Sequence, residues 1–239
     1  MTYAHAARGK RRRAHTPLAA PVALFVAAIV LAVSYVGYVL WPRWADVPVS
    51  LDSPAMPIIV AGTSFTVEPA AIRMRVQRHP GTHERIDLAY VWPTLTPPDP
   101  AEKPSQVPAS VERLFVTIQG ADGTLPPMQR VETIYPRYLV SEPQAGPDGL
   151  TLRAFREDTP YKDEELVFDS AAPTHFLARC SKRGAVGPGN CLLDRRIGDA
   201  DITIRFSRDW LQDWRKVADA VDALTQRIHP QASSPGLSR

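Results

Sequence analysis

The sequence lacks the short motifs that mark several well-known kinds of catalysis. It contains no G-x-S-x-G nucleophile elbow, no Walker phosphate loop, no G-x-G-x-x-G fingerprint and no H-E-x-x-H zinc motif. Only two cysteines and six histidines are present, so metal ligands are few. These absences count against the enzyme classes that the motifs define, and we predict no cofactor. The carboxylate pair of a glycosidase stays open, because its separation is spatial rather than sequential.

Basic residues are in excess only within a short N-terminal tail. The formal net charge is +3, yet residues 1–16 carry five basic side chains and no acid. Residues 17–239 hold 23 basic and 25 acidic side chains, a net charge of −2. Because nucleic-acid binding needs a basic surface that replaces phosphate counterions, this distribution argues against a nucleic-acid partner.

A long apolar run without charges follows the tail, from Leu18 to Leu40. As a helix it would be about 34 Å long, enough to cross a hydrocarbon layer of about 30 Å. The sequence therefore predicts a transmembrane signal-anchor helix over residues 17–41. Tyr38, Trp41 and Trp44 gather at its end and are predicted to lie at the membrane interface as an aromatic belt.

The basic tail sets the expected orientation of this helix. By the positive-inside rule, residues 1–16 form a cytoplasmic stub, and everything after Trp41 is exported. The protein is thus expected to have one membrane span. A cleaved signal peptide is the alternative, but its apolar region is shorter and ends in a small-x-small site. A twin-arginine signal is a further alternative, although the residues after the arginine pair do not fit it.

Both cysteines, Cys180 and Cys191, lie on the exported side. The ten residues between them include three glycines and a proline, and the flanking segments HFLARC and CLLDRRI resemble strands. In an oxidising compartment, this pair predicts a disulfide that closes a hairpin. A metal site with His175 and a redox-active pair are the alternatives, but the ligand spacing suits neither.

The exported part divides by composition into three segments. Residues 42–57 are a proline-punctuated stalk, residues 58–229 form an α+β domain that is mainly β, and residues 230–239 are a disordered tail. Strands are predicted where polar and apolar residues alternate or β-branched residues cluster. These strands are 58–60, 65–67, 72–76, 86–92, 113–119, 149–155, 166–169 and 201–206.

A proline-rich loop is the first place to expect a ligand site. Residues 93–108 contain six prolines, which exclude regular structure and predict a long surface loop. Tyr90 and Trp92 precede this loop and supply aromatic side chains beside it. If the domain binds a ligand, we expect the site at this aromatic rim.

Two other segments could hold a cation, but neither has a suitable pattern. His79 and His83 would share one face of a helix, yet Pro80 and Gly81 between them predict a turn with two exposed histidines. Residues 157–165 contain five acids without the alternation or central glycine of a calcium loop. We therefore predict a solvated acidic loop and no metal ligands.

The C-terminal region has the clearest pattern. Residues 201–206 alternate strictly, Ser207 occupies a helix N-cap position, and Asp209 follows in the first turn. The next apolar residues have the spacing of an amphipathic helix, which we expect to close the domain by packing on its own sheet. Docking onto a membrane or a partner helix is the alternative. The stripe consists of Trp210, Trp214, Val217, Val221, Leu224 and Ile228.

Three sequence segments resemble those of a known group of proteins. They are FTVEPAAIRMRVQR, ERIDLAYVWP and the terminal segment ARC…NCLLDRRIGDADITIRFSRDWLQDWRKV. Together they resemble uncharacterised bacterial membrane proteins that have one N-terminal span and an envelope-facing domain. The resemblance covers most of residues 58–228. It implies anchoring in the bacterial inner membrane with the C-terminal domain in the periplasm, and it implies no activity and no functional residue.

Two classes of function follow from these observations. The first is a non-enzymatic interaction or scaffold module of the cell envelope, which would bind an envelope protein. It is favoured by the short stub, the near-neutral β-rich domain and the lack of an assembled catalytic motif. The alternative is a membrane-tethered envelope hydrolase or glycan-binding protein, which predicts a cleft with carboxylates or a histidine of perturbed pKa.

Overall fold

The computed structural model describes residues 19–40, 49–101, 112–184 and 189–230. The chain divides into two compact units, Met1–Val47 and Pro48–Arg239. The whole predicted stub, residues 1–16, lies outside the described residues, as do Trp41, Trp44 and the predicted tail after residue 230.

The first unit contains helix α1, Ala19–Leu40. Residues Ala20–Leu40 have a mean hydropathy of 2.4, and their side chains are exposed along the whole helix. The predicted helix is therefore confirmed, and its length and composition suit a membrane anchor or a signal sequence. Tyr38 lies in its last turn, where the prediction placed the interface.

The second unit is β-rich, as predicted. The described part of this unit forms an eight-stranded antiparallel sheet in the order β4-β5-β11-β10-β9-β8-β7-β6 and a three-stranded sheet in the order β2-β1-β3. Its elements in chain order are β1 Met56–Val60, β2 Thr63–Val67, β3 Gly81–His83, β4 Arg85–Val91, β5 Arg113–Gly120, α2 Pro127–Thr133, β6 Gln144–Ala145, β7 Thr151–Ala154, β8 Glu164–Phe168, β9 Leu177–Ser181, β10 Asn190–Ile197, β11 Ala200–Ser207 and α3 Trp214–Ile228.

The small sheet begins with a tight hairpin. Strands β1 and β2 are joined by Ala61 and Gly62, which both have positive φ, at 48° and 78°. Two consecutive residues of this kind match the twist of antiparallel strands in a two-residue loop. The hairpin turns Ile58 and Phe65 into the same core as the large sheet, while β3 pairs with β1 in parallel.

One face of the large sheet is covered by helix α3. The alternation in β11 buries Ile202, Ile204 and Phe206 on this face, as the sequence predicts. Ser207 caps the next segment by accepting a hydrogen bond from the backbone of Asp209. That segment is first a 3-10 turn, Arg208–Asp213, and becomes α-helical at Trp214. All six residues of the predicted apolar stripe are buried, which confirms the closing helix.

The predicted strand over residues 72–76 is wrong beyond its first two residues. Ile72 forms a bridge with Leu88, and the backbone N–H of Arg73 donates to Asp87 at 2.9 Å. The chain then turns into a 3-10 segment, Arg75–Gln77, and Met74 lies half exposed.

A side chain replaces the missing part of that strand. The amide of Gln77 donates to the carbonyl of Arg85 and accepts from the backbone N–H of Asp87, both at 3.1 Å. The side-chain amide thus satisfies the edge of β4 as a strand would.

A second, smaller core lies on the opposite face of the large sheet. Helix α2 and the 3-10 turn Tyr135–Arg137 cover its β7–β9 end. The sequence pattern does not predict this core, because most of its residues come from irregular segments. It consists of Tyr135, Leu139, Phe155, Leu166 and Leu177.

Candidate functional site

The two cysteines form the predicted disulfide. Cys180 of β9 and Cys191 of β10 are directly paired across the sheet with a Cα–Cα distance of 4.0 Å, and both are fully buried. This excludes the alternative metal site with His175, because both sulfur atoms are already bonded. The described flanks of the hairpin are strands, as expected.

A buried ion pair lies next to the disulfide and was not predicted. Arg208 donates to Glu165, which is paired with Cys180 on the neighbouring strand, and also to the carbonyl of Ser181 at 2.6 Å. Glu165 belongs to strand β8, so the predicted acidic loop ends earlier than expected. The pair holds the start of the C-terminal helical segment against the strands of the disulfide hairpin.

Tyr90 and Trp92 do not form the aromatic rim that the sequence predicts. Tyr90 is fully buried, its hydroxyl donates to Glu68 at 3.4 Å, and burial raises its pKa far above the usual range. Trp92 stacks on Trp210 with ring centroids 4.5 Å apart. Of the following loop, residues 93–101 are described, and Leu95 is buried there. These aromatic side chains therefore fill the core instead of facing a ligand.

The prediction that His79 and His83 are both exposed is wrong for His83, whereas His79 is exposed. His83 is buried in β3, donates from its Nε2 to the carbonyl of His79 at 2.9 Å, and stacks on the His79 ring at 4.3 Å. Within the described residues, no group of three His, Cys, Asp or Glu side chains could hold a metal ion. The His83 ring serves to pack this turn.

The open part of the large sheet is the candidate functional surface. It lies on the face opposite α3, on strands β4, β5, β11 and β10. The register aligns a row of side chains in which, from β5 onwards, apolar residues alternate with arginines; we call it the arginine row. In order across seven strands, it consists of Ala89, Phe115, Arg205, Leu192, Arg179, Leu166 and Arg153.

Acidic and hydroxyl side chains form the adjacent row. Thr117 donates to Asp87 and Thr203 donates to Asp194, each at 2.8 Å. For Asp87, burial alone would raise the pKa, but hydrogen bonds from Arg85, Thr117 and Gln77 outweigh it and lower the pKa below the usual value. Asp87 is therefore ionised at neutral pH.

Most arginines on this face are paired with a carboxylate. The pairs are Arg85–Asp87 at 2.8 Å, Arg130–Asp194 at 3.2 Å, Arg196–Asp201 at 2.7 Å and Arg179–Glu164 at 2.8 Å. These pairs fix the side chains in place and neutralise their charges.

Two exposed arginines of this face, Arg73 and Arg205, form together with one ring what we call the Phe115 site. The guanidinium carbons of Arg73 and Arg205 each lie 4.8 Å from the centroid of the Phe115 ring. Both arginines are exposed, and neither forms an ion pair with a carboxylate of the described residues. Sequence reasoning missed this site because Arg73 lies outside the regular strands and the other two residues meet only through the register.

Comparison with known proteins shows a shared fold. No family model matches the sequence, and no curated protein matches it. The immunity protein Smlt3025 of the Stenotrophomonas maltophilia type IV secretion system is similar with a TM-score of 0.52 and 15% identity, over 74% of this chain and 93% of that chain. The Neisseria meningitidis iron-regulated outer membrane lipoprotein FrpD gives a TM-score of 0.45 and 10% identity, over 77% and 96%.

Proposed function

We propose that this chain is a membrane-anchored, non-enzymatic interaction module of the bacterial envelope. Helix α1 spans the inner membrane once, the N-terminus is cytoplasmic, and the β-rich domain lies in the periplasm. The domain binds a partner protein on the open face of its large sheet. The observation that carries this proposal is the Phe115 site, where two exposed arginines with no carboxylate partner among the described residues contact one aromatic ring.

Two further features support the envelope location, and a third accords with the non-enzymatic role. The apolar helix follows a tail with five basic residues, as in a signal anchor with a cytoplasmic N-terminus. The buried disulfide suits an oxidising compartment such as the periplasm. The fold shared with Smlt3025, which is named as an immunity protein of a secretion system, accords with a non-enzymatic role.

Site-specific photocrosslinking in living cells tests the binding face. A photoreactive residue at Gln119, exposed on β5 of the open face, should capture a discrete envelope protein. The same residue at Ala223, exposed on helix α3, is the matched control and should capture much less of it. Equal capture at both positions, or none at Gln119, would contradict a binding role for the open face.

A reporter fused after Arg239 tests the topology separately. An enzyme that is active only outside the cytoplasm should be active in this fusion, and the fusion should stay in the membrane fraction. Cytoplasmic activity would overturn the orientation. Release of the mature domain from the membrane would show that α1 is a cleaved signal sequence.

A further inference from the structure

The Phe115 site carries two positive charges that no carboxylate of the described residues pairs with. Because both guanidinium carbons are within 4.8 Å of the same ring centroid, they are separated by no more than twice that distance. Two like charges this close repel each other, and the ring offsets this only in part through cation–π attraction. An anion bound between or beside them would relieve the repulsion.

The neighbours of the site in the sheet explain why it stays unneutralised. Arg205 is paired across the strands with Phe115 on one side and with Leu192 on the other, and Phe115 is paired with Ala89. No acid occupies these adjacent positions, in contrast to Arg85 and Arg196, which each have an aspartate at hydrogen-bonding distance. The arrangement is therefore local to the Phe115 site.

We propose that the Phe115 site binds an acidic segment of the partner protein through its carboxylates. This inference rests on the proposed function and specifies the chemistry of the partner. A guanidinium donates two parallel hydrogen bonds to a carboxylate, so Arg73 and Arg205 together bind two acidic side chains of one segment. Phe115 and Leu192, which are both half-buried, supply apolar contact beside the two arginines.

The surrounding charges favour a protein over a nucleic acid. Asp87 and Asp194 lie in the row next to the site, and both take part in ion pairs. A continuous phosphate backbone that crossed the face would pass close to these carboxylates, and the arginines beside them, Arg85 and Arg130, are already paired with them. A short acidic segment needs only the guanidiniums of Arg73 and Arg205.

Peptide binding to the full-length protein in nanodiscs of zwitterionic lipid tests the inference. The probe is a labelled peptide of alternating Glu and Gly, and the comparison peptide has Gln in place of Glu. The double variant Arg73→Gln with Arg205→Gln should bind the Glu peptide at least about tenfold more weakly than the wild type, since each lost charge-assisted hydrogen bond contributes roughly this factor. Binding to the wild type should also weaken as salt is raised.

The matched control removes the same charge elsewhere. Arg137 and Arg183 are exposed and have no ion pair with a described residue, so Arg137→Gln with Arg183→Gln changes the net charge equally. This control should bind the Glu peptide as the wild type does. Equal loss in both double variants, equal binding of the Glu and Gln peptides, or tighter binding of an oligothymidylate than of the Glu peptide would overturn the inference.

Crosslinking separates this inference from the proposed function. One outcome is that the photoreactive residue at position 119 captures the partner equally well in the wild type and in the Arg73→Gln, Arg205→Gln variant. The open face then binds a partner without the Phe115 site, so this inference fails while the proposed function stands. If Gln119 captures nothing while the Glu peptide still depends on both arginines, the proposed function fails and the acid-binding site stands.

Discussion

The two faces of the large sheet use the same strands for different purposes. On the face under α3, β4, β5 and β11 present Ile86, Val116 and Ile204, which are buried in one continuous core. On the opposite face, the intervening positions carry arginines, aspartates and threonines in cross-strand rows. Because successive side chains of a strand point to opposite faces, fold stability and recognition can vary independently. Changes on the covered face should therefore unfold the domain, while changes on the open face should not.

The largest effect is expected where a charge is placed in the covered core. Trp214 begins helix α3 and is 2% exposed. Trp214→Asp removes its packing and buries an unpaired charge, which should cost about 3–5 kcal/mol and unfold much of the domain. Denaturant unfolding followed by circular dichroism measures this. Ala223→Asp, on the exposed side of the same helix, should change stability by less than about 1 kcal/mol. Similar denaturation midpoints for the two variants would mean that the apolar stripe of α3 is not packed in the core.

The second-largest loss of stability is expected when the buried ion pair of Arg208 and Glu165 is broken. Glu165→Gln leaves the Arg208 guanidinium buried without its carboxylate and should destabilise the domain by about 3 kcal/mol, which is typical of breaking one partner of such a pair. The comparison is the double variant Glu165→Gln with Arg208→Met, in which no uncompensated charge remains. If the double variant is no more stable than Glu165→Gln alone, the pair does not act through charge compensation.

The disulfide should contribute somewhat less to the free energy of unfolding than the ion pair. Cys180 and Cys191 are 11 positions apart, and in the chain-entropy model a loop of this size stabilises the folded state by about 3 kcal/mol at most. Replacing both cysteines by Ala should lower the denaturation midpoint, and reductant should then have no additional effect. Thiol labelling of the unreduced wild type should find no reactive cysteine. An unchanged midpoint in the double variant would show that the hairpin does not depend on the crosslink.

Much of the covered face could be predicted from the sequence, because local periodicity determines it. The alternation in residues 201–206, the apolar stripe from Trp210 to Ile228 and the cysteine pair each contain their own signal. The stripe is helical only from Trp214, since the first turn takes the tighter 3-10 form. These elements need no knowledge of the rest of the chain.

The open face could not be predicted in the same way. The arginine row exists only because seven strands are in one particular register, and Arg73 reaches it from an irregular segment. Residues 72–76 misled the prediction because the Gln77 side chain takes the place of backbone pairing. Tyr90 and Trp92 misled it too, since an aromatic residue beside a loop has the same sequence signal whether it faces a ligand or the core.

On the open face, ion pairs should have small effects that depend on pH. The pKa of Asp87 is lowered in the folded state, so its ionised form stabilises the fold above the ordinary aspartate pKa of about 4. This contribution is lost as the pH falls through the lowered pKa. Asp87→Asn should therefore be less stable than the wild type by up to about 1 kcal/mol near neutral pH, and the difference should shrink in acid. A stability difference between Asp87→Asn and the wild type that stayed constant with pH would contradict this linkage.

The smallest effect is expected at the Phe115 site. Arg73 and Arg205 form no ion pair with a described carboxylate, so replacing both by Gln removes only cation–π contacts and relieves mutual repulsion. The free energy of unfolding should stay within about 0.5 kcal/mol of the wild type, as at ordinary surface positions. Denaturant titration of the variant used for peptide binding measures this directly. A large loss of stability would mean that Arg73 and Arg205 stabilise the fold. The Phe115 site would then not differ in this respect from the covered face.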